Sequence, residues 1–220
     1  MVNSAIQSVK NVLFLDQLDS FTFNVIDMLA HLGASVNVVN AEEIEITLQN
    51  NSLDERREYL LKLLNPYDAV ILGPGPGKPS DYFYLSELLT LVELHRKPVL
   101  GICLGLQAIA EYFGWKVIHS AMAKHGKQDL INHAETGLFQ DIKTPMQVGR
   151  YHSLVVSPVE KNTLFLGDKS GGLVVIGITH GAEVMALKHE ILPITAVQFH
   201  PESVLTPNGK ILLGNWLESI

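Results

Sequence analysis

The chain has 220 residues, of which 47% are hydrophobic and 18% are charged, so it can build a packed core and is not expected to be disordered. Sixteen Lys and Arg residues against 23 Asp and Glu residues give a formal net charge of −7, and this acidic balance argues against nucleic-acid binding. The single cysteine rules out an internal disulfide, and neither a signal-peptide pattern nor an apolar run of about 18 residues is found, so we expect a cytoplasmic protein without a membrane partner.

The first half of the chain alternates short apolar runs with helical patterns. Residues 1–10 are expected to form an irregular lead, and residues 11–220 a single domain. Strands are predicted at residues 11–16, 35–39, 68–72 and 98–102. Helices are predicted from a cap at Asp19 or Ser20 to Gly33, and at residues 54–64, 82–96 and 105–113. This alternation is typical of βαβ units, so we expect an α/β fold with a mostly parallel central sheet flanked by helices.

The second half, from residue 115 to residue 199, is β-rich. Strands are predicted at residues 164–166, 172–179, 183–187 and 194–199, with a hairpin turn at 180–182. They are expected to form an additional small antiparallel region. The apolar stretch 169–179 is interpreted as a buried core strand, with a subunit interface as the alternative. Thr206 is predicted to cap a last helix, with Pro207 at its first position.

Cys103 lies in the sequence GICLG, residues 101–105, between a predicted strand and a predicted helix. This is the pattern of a nucleophile elbow with cysteine in place of serine, in which glycines let the chain turn sharply. A helix N-terminus behind the sulfur favours the thiolate. An isolated cysteine is more often a core residue, but the elbow favours a nucleophile.

A cysteine nucleophile needs a base, and the base needs an orienting group. His200 and Glu202 follow a predicted strand, and in an extended segment residues two apart point the same way. The sequence therefore predicts a Cys-His-Glu triad, although the HPE sequence alone would also fit a solvated turn.

Two glycine-rich segments are less specific indications of function than the predicted triad. Residues 73–77 (GPGPG) are poor in N–H donors, which does not suit a phosphate loop. Such a stiff loop fits either an oxyanion hole or a simple rigid turn. Residues 170–172 (SGG) are predicted to form a β-turn, and the nine histidines show no metal-ligand spacing.

The chain resembles the class I, or triad-type, glutamine amidotransferases from about residue 11 onward. Six segments in this order carry the resemblance: residues 19–24 (DSFTFN), 73–77 (GPGPG), 101–107 (GICLGLQ), 125–127 (HGK), 149–154 (GRYHSL) and 198–203 (QFHPES). Within this family it is most similar to the small subunits of anthranilate synthases and aminodeoxychorismate synthases.

The resemblance implies a role for each matching residue. Cys103 would attack the side-chain amide of L-glutamine, His200 would transfer protons, and Glu202 would orient His200. The backbone N–H groups of Gly75 and Leu104 would stabilise the oxyanion. The residues implied to hold glutamine are Gly75, Gly77, Gln107, Ser153 and Leu154.

The resemblance also implies a chorismate-using large subunit, which receives ammonia and holds the Mg²⁺ site, whereas this chain carries no cofactor or metal. Anthranilate formation is favoured, and aminodeoxychorismate formation or a shared subunit remains the alternative. A non-catalytic binding module and a γ-glutamyl peptidase are two further hypotheses. The chain departs from the commonest family pattern at Gln17, Leu18, Leu106 and Trp115.

Overall fold

A computed structural model describes residues 9–159 and 163–220 of the chain, and the side chains of residues 121–124 lie outside this description. Residues 1–8 of the predicted lead also lie outside the described residues. The strands that the structure describes are β1 Asn11–Asp16, β2 Ser35–Asn40, β3 Ala69–Leu72, β4 Val99–Ile102, β5 Lys116–His133, β6 Met146–Ser157, β7 Lys169–Ser170, β8 Leu173–Thr179, β9 Val184–His189 and β10 Ile194–Val197. The α-helices are α1 Thr22–His31, α2 Ala41–Leu48, α3 Leu53–Leu64, α4 Tyr84–His95, α5 Leu104–Tyr112 and α6 Gly209–Glu218.

The described strands form one continuous sheet in the order β2-β1-β3-β4-β10-β9-β8-β5-β6, with β7 paired to β8. The first five strands in this order are parallel, and every later pair is antiparallel. This confirms the predicted mixed α/β fold. The antiparallel strands extend the parallel sheet instead of forming a separate layer, because β10 pairs with β4 on one side and β9 on the other.

Helices cover both faces of the parallel strands. The alternation in β1 shows this directly, since Leu13 and Leu15 pack in one hydrophobic cluster and Val12 and Phe14 in the other. Buried residues of α2, α3, α4 and α5 belong to the first cluster, and those of α1 and α6 to the second. A strand buried on both faces reads as a continuous apolar run, which is why these strands were predictable.

Two predicted turns are confirmed. Gly171 and Gly172, both with positive φ, join β7 to β8, and this is the β-turn predicted for residues 170–172. Residues 180–181 form the turn between β8 and β9, where the Ala182 N–H donates to the Thr179 carbonyl. The core-strand interpretation of residues 169–179 is confirmed for residues 173–179, which form β8 and are all buried. It is wrong for Lys169 and Ser170, which form the short strand β7 and are not buried.

Three other predictions are wrong, either in the position of an element or in its kind. Residues 164–166 are not a strand, because the chain turns there and the Phe165 N–H donates to the Asp168 carboxylate. Helix α1 has Phe21 as its N-cap, and Asp19 instead accepts a hydrogen bond from the Phe21 N–H. Helix α6 begins two residues later than expected, with Asn208 as its N-cap.

Helix α2 was not predicted. Asn40 caps it by accepting a hydrogen bond from the Glu42 N–H, and Glu42 and Glu43 lie in its first turn, where carboxylates suit the helix dipole. Among the described residues, no helix is long and apolar enough to cross a membrane.

Candidate active site

The pairing of β4 with β10 brings two distant parts of the chain together. The strands run parallel with Ile102 opposite Val197, so the residues that follow, Cys103 and Gln198, leave the sheet side by side. The Cys103 N–H donates to the Val197 carbonyl at 2.8 Å and continues the ladder by one bond. Sites of open α/β sheets lie at such carboxyl ends of strands.

Cys103 occupies a strained turn between β4 and α5. Its φ is 54° and its ψ is −102°, a conformation that side-chain-bearing residues rarely adopt. The flanking glycines permit this because a Cβ on Gly101 would lie 2.7 Å from the Gly105 backbone, and one on Gly105 would lie 2.9 Å from the Leu72 carbonyl carbon. The sulfur therefore sits at the N-terminus of α5, the positive end of the helix dipole.

His200 and Glu202 form a buried pair beside the cysteine. The His200 Nδ1 lies 2.6 Å from the Glu202 Oε1, and the side chains are 2% and 0% exposed. The local structure differs from the predicted extended segment, because β10 ends at Val197 and the Ser203 N–H donates back to the His200 carbonyl. A turn, rather than strand geometry, thus brings the imidazole and the carboxylate together.

The electrostatics of His200 favour its charged form. Burial alone would lower the pKa of His200, but hydrogen bonds to the Cys103 sulfur and to Glu202, with the negative charges of both groups, raise that pKa well above its usual value. Since Nδ1 is bonded to Glu202, Nε2 is the nitrogen that faces the sulfur. The surroundings of His200 therefore favour a protonated imidazole beside the Cys103 sulfur.

Two aromatic rings pack against the imidazole. The Phe21 ring centroid lies 5.5 Å and the Tyr151 centroid 5.1 Å from that of His200, both with edge-type geometry. The Tyr151 hydroxyl also pairs with Ser203 Oγ at 3.0 Å. These contacts fix the plane of the imidazole. Apart from its place in the GRYHSL segment, Tyr151 belongs to no pattern that predicts this contact.

A cavity of about 160 Å³ opens in front of Cys103. The residues that line it are Gly75, Pro76, Gly77, Cys103, Gln107, Tyr151, His152, Ser153 and Leu154. All five residues implied to hold glutamine are in this set. Leu104 is not, but it is the first residue of α5, and N–H groups of a first helical turn have no partner within the helix.

The glycine loop lines the cavity together with β6. The Gly73 N–H donates to the Leu15 carbonyl at 3.0 Å, and the Tyr82 hydroxyl donates to the Pro76 carbonyl at 3.2 Å. Gly75 and Cys103 line the same cavity, as the oxyanion interpretation of the loop requires. In the ranges that the structure describes, no cluster of three metal-ligating side chains is found.

The family model for glutamine amidotransferase class I matches residues 13–220, which is nearly the whole chain. The chain belongs to the class I glutamine amidotransferase family. It is 36% identical to anthranilate synthase component 2 of Haemophilus influenzae, over 94% of this chain and 96% of that protein. It is 35% identical to aminodeoxychorismate/anthranilate synthase component 2 of Bacillus subtilis, with the same coverage. A solved glutamine amidotransferase from Thermotoga maritima has the same fold, with a TM-score of 0.67 and 16% identity over 96% of this chain and 98% of that one.

This class I amidotransferase also contains a buried charge network that sequence reasoning missed. The Arg150 guanidinium is 1% exposed and donates to Asp129 at 2.8 Å and to Glu183 at 2.6 Å. Its Nε donates to His152 Nε2 at 3.1 Å, so the other nitrogen, Nδ1, must carry the proton that it donates to the Leu154 carbonyl at 2.8 Å. The network thereby fixes the β6 backbone that lines the cavity.

Burial, helped by the neighbouring Arg150 charge, lowers the pKa of His152 to about 4. The imidazole of His152 is therefore neutral at physiological pH, which its role as acceptor from Arg150 requires. An arginine two residues before a histidine in a strand is not a pattern that predicts such a network.

The four departures from the common amidotransferase pattern lie outside the triad. Gln17 is fully buried and donates to the Tyr84 hydroxyl at 3.3 Å, whereas Leu18 is 53% exposed. Leu106 is buried in the core. Trp115 is also buried, and its indole N–H donates to the Ser170 carbonyl at 3.0 Å.

Proposed function

We propose that this chain is the glutaminase subunit of a chorismate-using synthase. The observation that carries the proposal is the buried assembly of Cys103, His200 and Glu202, next to a cavity of about 160 Å³ that Cys103 lines. Membership in the class I amidotransferases and the component 2 names of its relatives support it.

The geometry suggests how the residues act. The Cys103 thiolate attacks the side-chain amide carbon of glutamine, and the carbonyl oxygen becomes an oxyanion that accepts hydrogen bonds from the Gly75 and Leu104 N–H groups. His200 passes its proton to the amide nitrogen, the C–N bond breaks, and ammonia leaves a glutamyl thioester on the sulfur. His200 then takes a proton from water, whose oxygen attacks the thioester and releases glutamate. Glu202 holds the imidazole throughout.

Glutamine would be held from three sides of the cavity. Gly75 and Gly77 belong to the glycine loop, Gln107 to α5, and Ser153 and Leu154 to β6. Because the loop and strand offer backbone groups, substitution of their side chains alone does not remove these contacts.

The ammonia would pass to a large subunit that uses chorismate, and anthranilate for tryptophan biosynthesis is the product we favour. The Mg²⁺ site would lie on that large subunit, and this chain would need no cofactor. We place the complex in the cytoplasm. The Bacillus subtilis relative carries both activities in its name, which supports aminodeoxychorismate formation, and thus folate synthesis, as the second candidate.

The test is glutamate release from glutamine by the purified chain, alone and with each large subunit plus chorismate. Cys103→Ser is the matched control, because it keeps the shape of the site and removes the thiolate. Cys103-dependent release with anthranilate formed supports the proposal, and formation of 4-amino-4-deoxychorismate instead supports the second candidate. No release with either partner would overturn the enzymatic function and leave a binding module. Faster cleavage of γ-glutamyl peptides than of glutamine would indicate a peptidase.

A further inference from the structure

A continuous chain of hydrogen bonds runs from β6 to the catalytic sulfur. The Gln107 Nε2 donates to the Leu154 carbonyl at 3.5 Å and to the Gln198 Oε1 at 3.3 Å. The Gln198 Nε2 in turn lies 3.6 Å from the Cys103 Sγ, within hydrogen-bond distance for sulfur. Both amides are buried, with Gln198 at 0% exposure and Gln107 at 3%.

The direction of this chain is set at its first atom. A backbone carbonyl can only accept a hydrogen bond, so Gln107 must turn its nitrogen toward Leu154. The second hydrogen of that nitrogen is then donated to Gln198, which must accept it with its side-chain oxygen. Gln198 is left with its NH₂ group facing Cys103, so the chain ends in a donor at the sulfur. An N–H donor stabilises a thiolate more than a thiol.

The same chain of hydrogen bonds determines which side-chain atom of Gln107 faces the cavity. Both hydrogens of its nitrogen are used by Leu154 and Gln198. The atom that remains for a ligand is the oxygen, which accepts hydrogen bonds. L-glutamine carries two donor groups, an ammonium and an amide, so an outward-facing acceptor suits it.

We propose that Gln198 is a further residue of the active site, which donates a hydrogen bond to the Cys103 thiolate and positions Gln107 with its oxygen toward the substrate. This inference rests on the proposed glutaminase function for its kinetic part, but its effect on the sulfur is independent of that function. The two roles are separable, because one uses the nitrogen of Gln198 and the other its oxygen.

Two variants separate the roles. Gln198→Met has nearly the same length and loses both hydrogen bonds. Gln198→Glu keeps an oxygen for Gln107 and replaces the donor at the sulfur with an acceptor. Asn215→Leu is the control, since it also removes a side-chain amide donor. Asn215 lies on α6, is not among the residues that line the cavity, and donates to the Leu138 and Gln140 carbonyls at 3.0 and 2.8 Å.

The first readout is the rate at which iodoacetamide alkylates the protein at pH 7. The chain has one cysteine, so this rate reports on Cys103 alone. A hydrogen bond to a charged group is strong enough that its loss should slow alkylation about tenfold in both Gln198 variants. Asn215→Leu should alkylate at the wild-type rate. Circular dichroism on each sample establishes that the variant is folded.

The second readout is glutaminase kinetics with the large subunit bound. We expect Gln198→Met to lower kcat and raise KM, and Gln198→Glu to lower kcat with KM within about threefold of wild type. Wild-type alkylation rates in folded Gln198→Met would overturn the proposal. If the wild-type complex releases no glutamate but the alkylation rate still depends on Gln198, the proposed function fails and the bond to sulfur stands.

Discussion

The Thr206 hydroxyl donates a hydrogen bond to the His200 carbonyl at 2.7 Å. The Thr206 hydroxyl oxygen also accepts a hydrogen bond from the Gly149 N–H at 2.9 Å, and the His200 N–H donates to the Gly149 carbonyl at 3.2 Å. One buried hydroxyl therefore ties the turn that carries the base to strand β6. This contact explains why Thr206 is not the N-cap of α6: its side chain is already used elsewhere.

Thr206→Val should destabilise the protein by about 1–3 kcal/mol, because the isosteric methyl leaves the buried Gly149 N–H without its acceptor. Glutaminase activity should fall as well, since the turn that holds His200 loses an anchor. Urea unfolding and the steady-state assay measure the two effects. Thr206→Ser keeps the hydroxyl and should lose much less stability, and equal losses in both variants would contradict this account.

Helix α6 offers a matched pair of glycines. A Cβ on Gly209 would collide with the backbone of Pro201, between the two triad residues of this turn, whereas a Cβ on Gly214 would meet only a Leu32 methyl at 3.7 Å. Gly209→Ala should therefore lower both stability and activity. Gly214→Ala should keep activity and stabilise the protein by roughly 0.5–1 kcal/mol, as alanine does in helices. Thermal melts of the pair test this, and an unaffected Gly209→Ala would be the contrary result.

Arg150→Met should be among the most destabilising single substitutions in this chain. It leaves Asp129 and Glu183 without the guanidinium that they share, and breaking such a buried pair costs about 3–5 kcal/mol. The exposed Lys62–Glu58 pair serves as the control, because Lys62→Met should change the unfolding free energy little. Chemical denaturation of both variants under one condition gives the comparison, and similar losses would show that the network adds no stability.

The lowered pKa of His152 makes stability depend on pH in a definite direction. In the unfolded chain, His152 takes up a proton as the pH falls below its ordinary pKa of 6.5. In the folded protein, it stays neutral until about pH 4. The unfolding free energy should therefore fall as the pH drops from 6.5 to 4, by up to about 3 kcal/mol from this residue. His152→Asn keeps a donor for Leu154 and should flatten this part of the profile. An unchanged slope in urea titrations of the variant would contradict the assignment.

Local sequence patterns were sufficient for much of the architecture. The strands β1, β3 and β4 are buried on both faces, so each reads as an apolar run regardless of what packs on it. The sharp turn at Cys103 was also predictable, because the elbow needs glycines at fixed positions around it. These features depend on a few neighbouring residues, which a sequence displays directly.

Features that depend on contacts between distant parts of the chain could not be predicted from the sequence. The strand predicted at residues 164–166 is a turn because Asp168 captures a backbone N–H, although Leu164 itself is buried like a strand residue. Gln198 lies in a segment that carries the family resemblance, yet its contact with Cys103 depends on the register of β10 with β4. Arg150 shows the same limit, since its partner Asp129 lies in β5 and its partner Glu183 immediately precedes β9.

The position of β10 has a consequence for how the protein is made. It is the last strand of the described chain, yet it lies between β4 and β9 in the interior of the sheet. A nascent chain that has not reached residue 194 therefore presents two unpaired strand edges, which are prone to intermolecular pairing. Cys103 leaves the ribosome long before His200, and one strand insertion both closes the sheet and brings the segments that carry these two residues together. A prematurely terminated product should therefore be inactive and a target for chaperones or proteases, with no partly functional fragment.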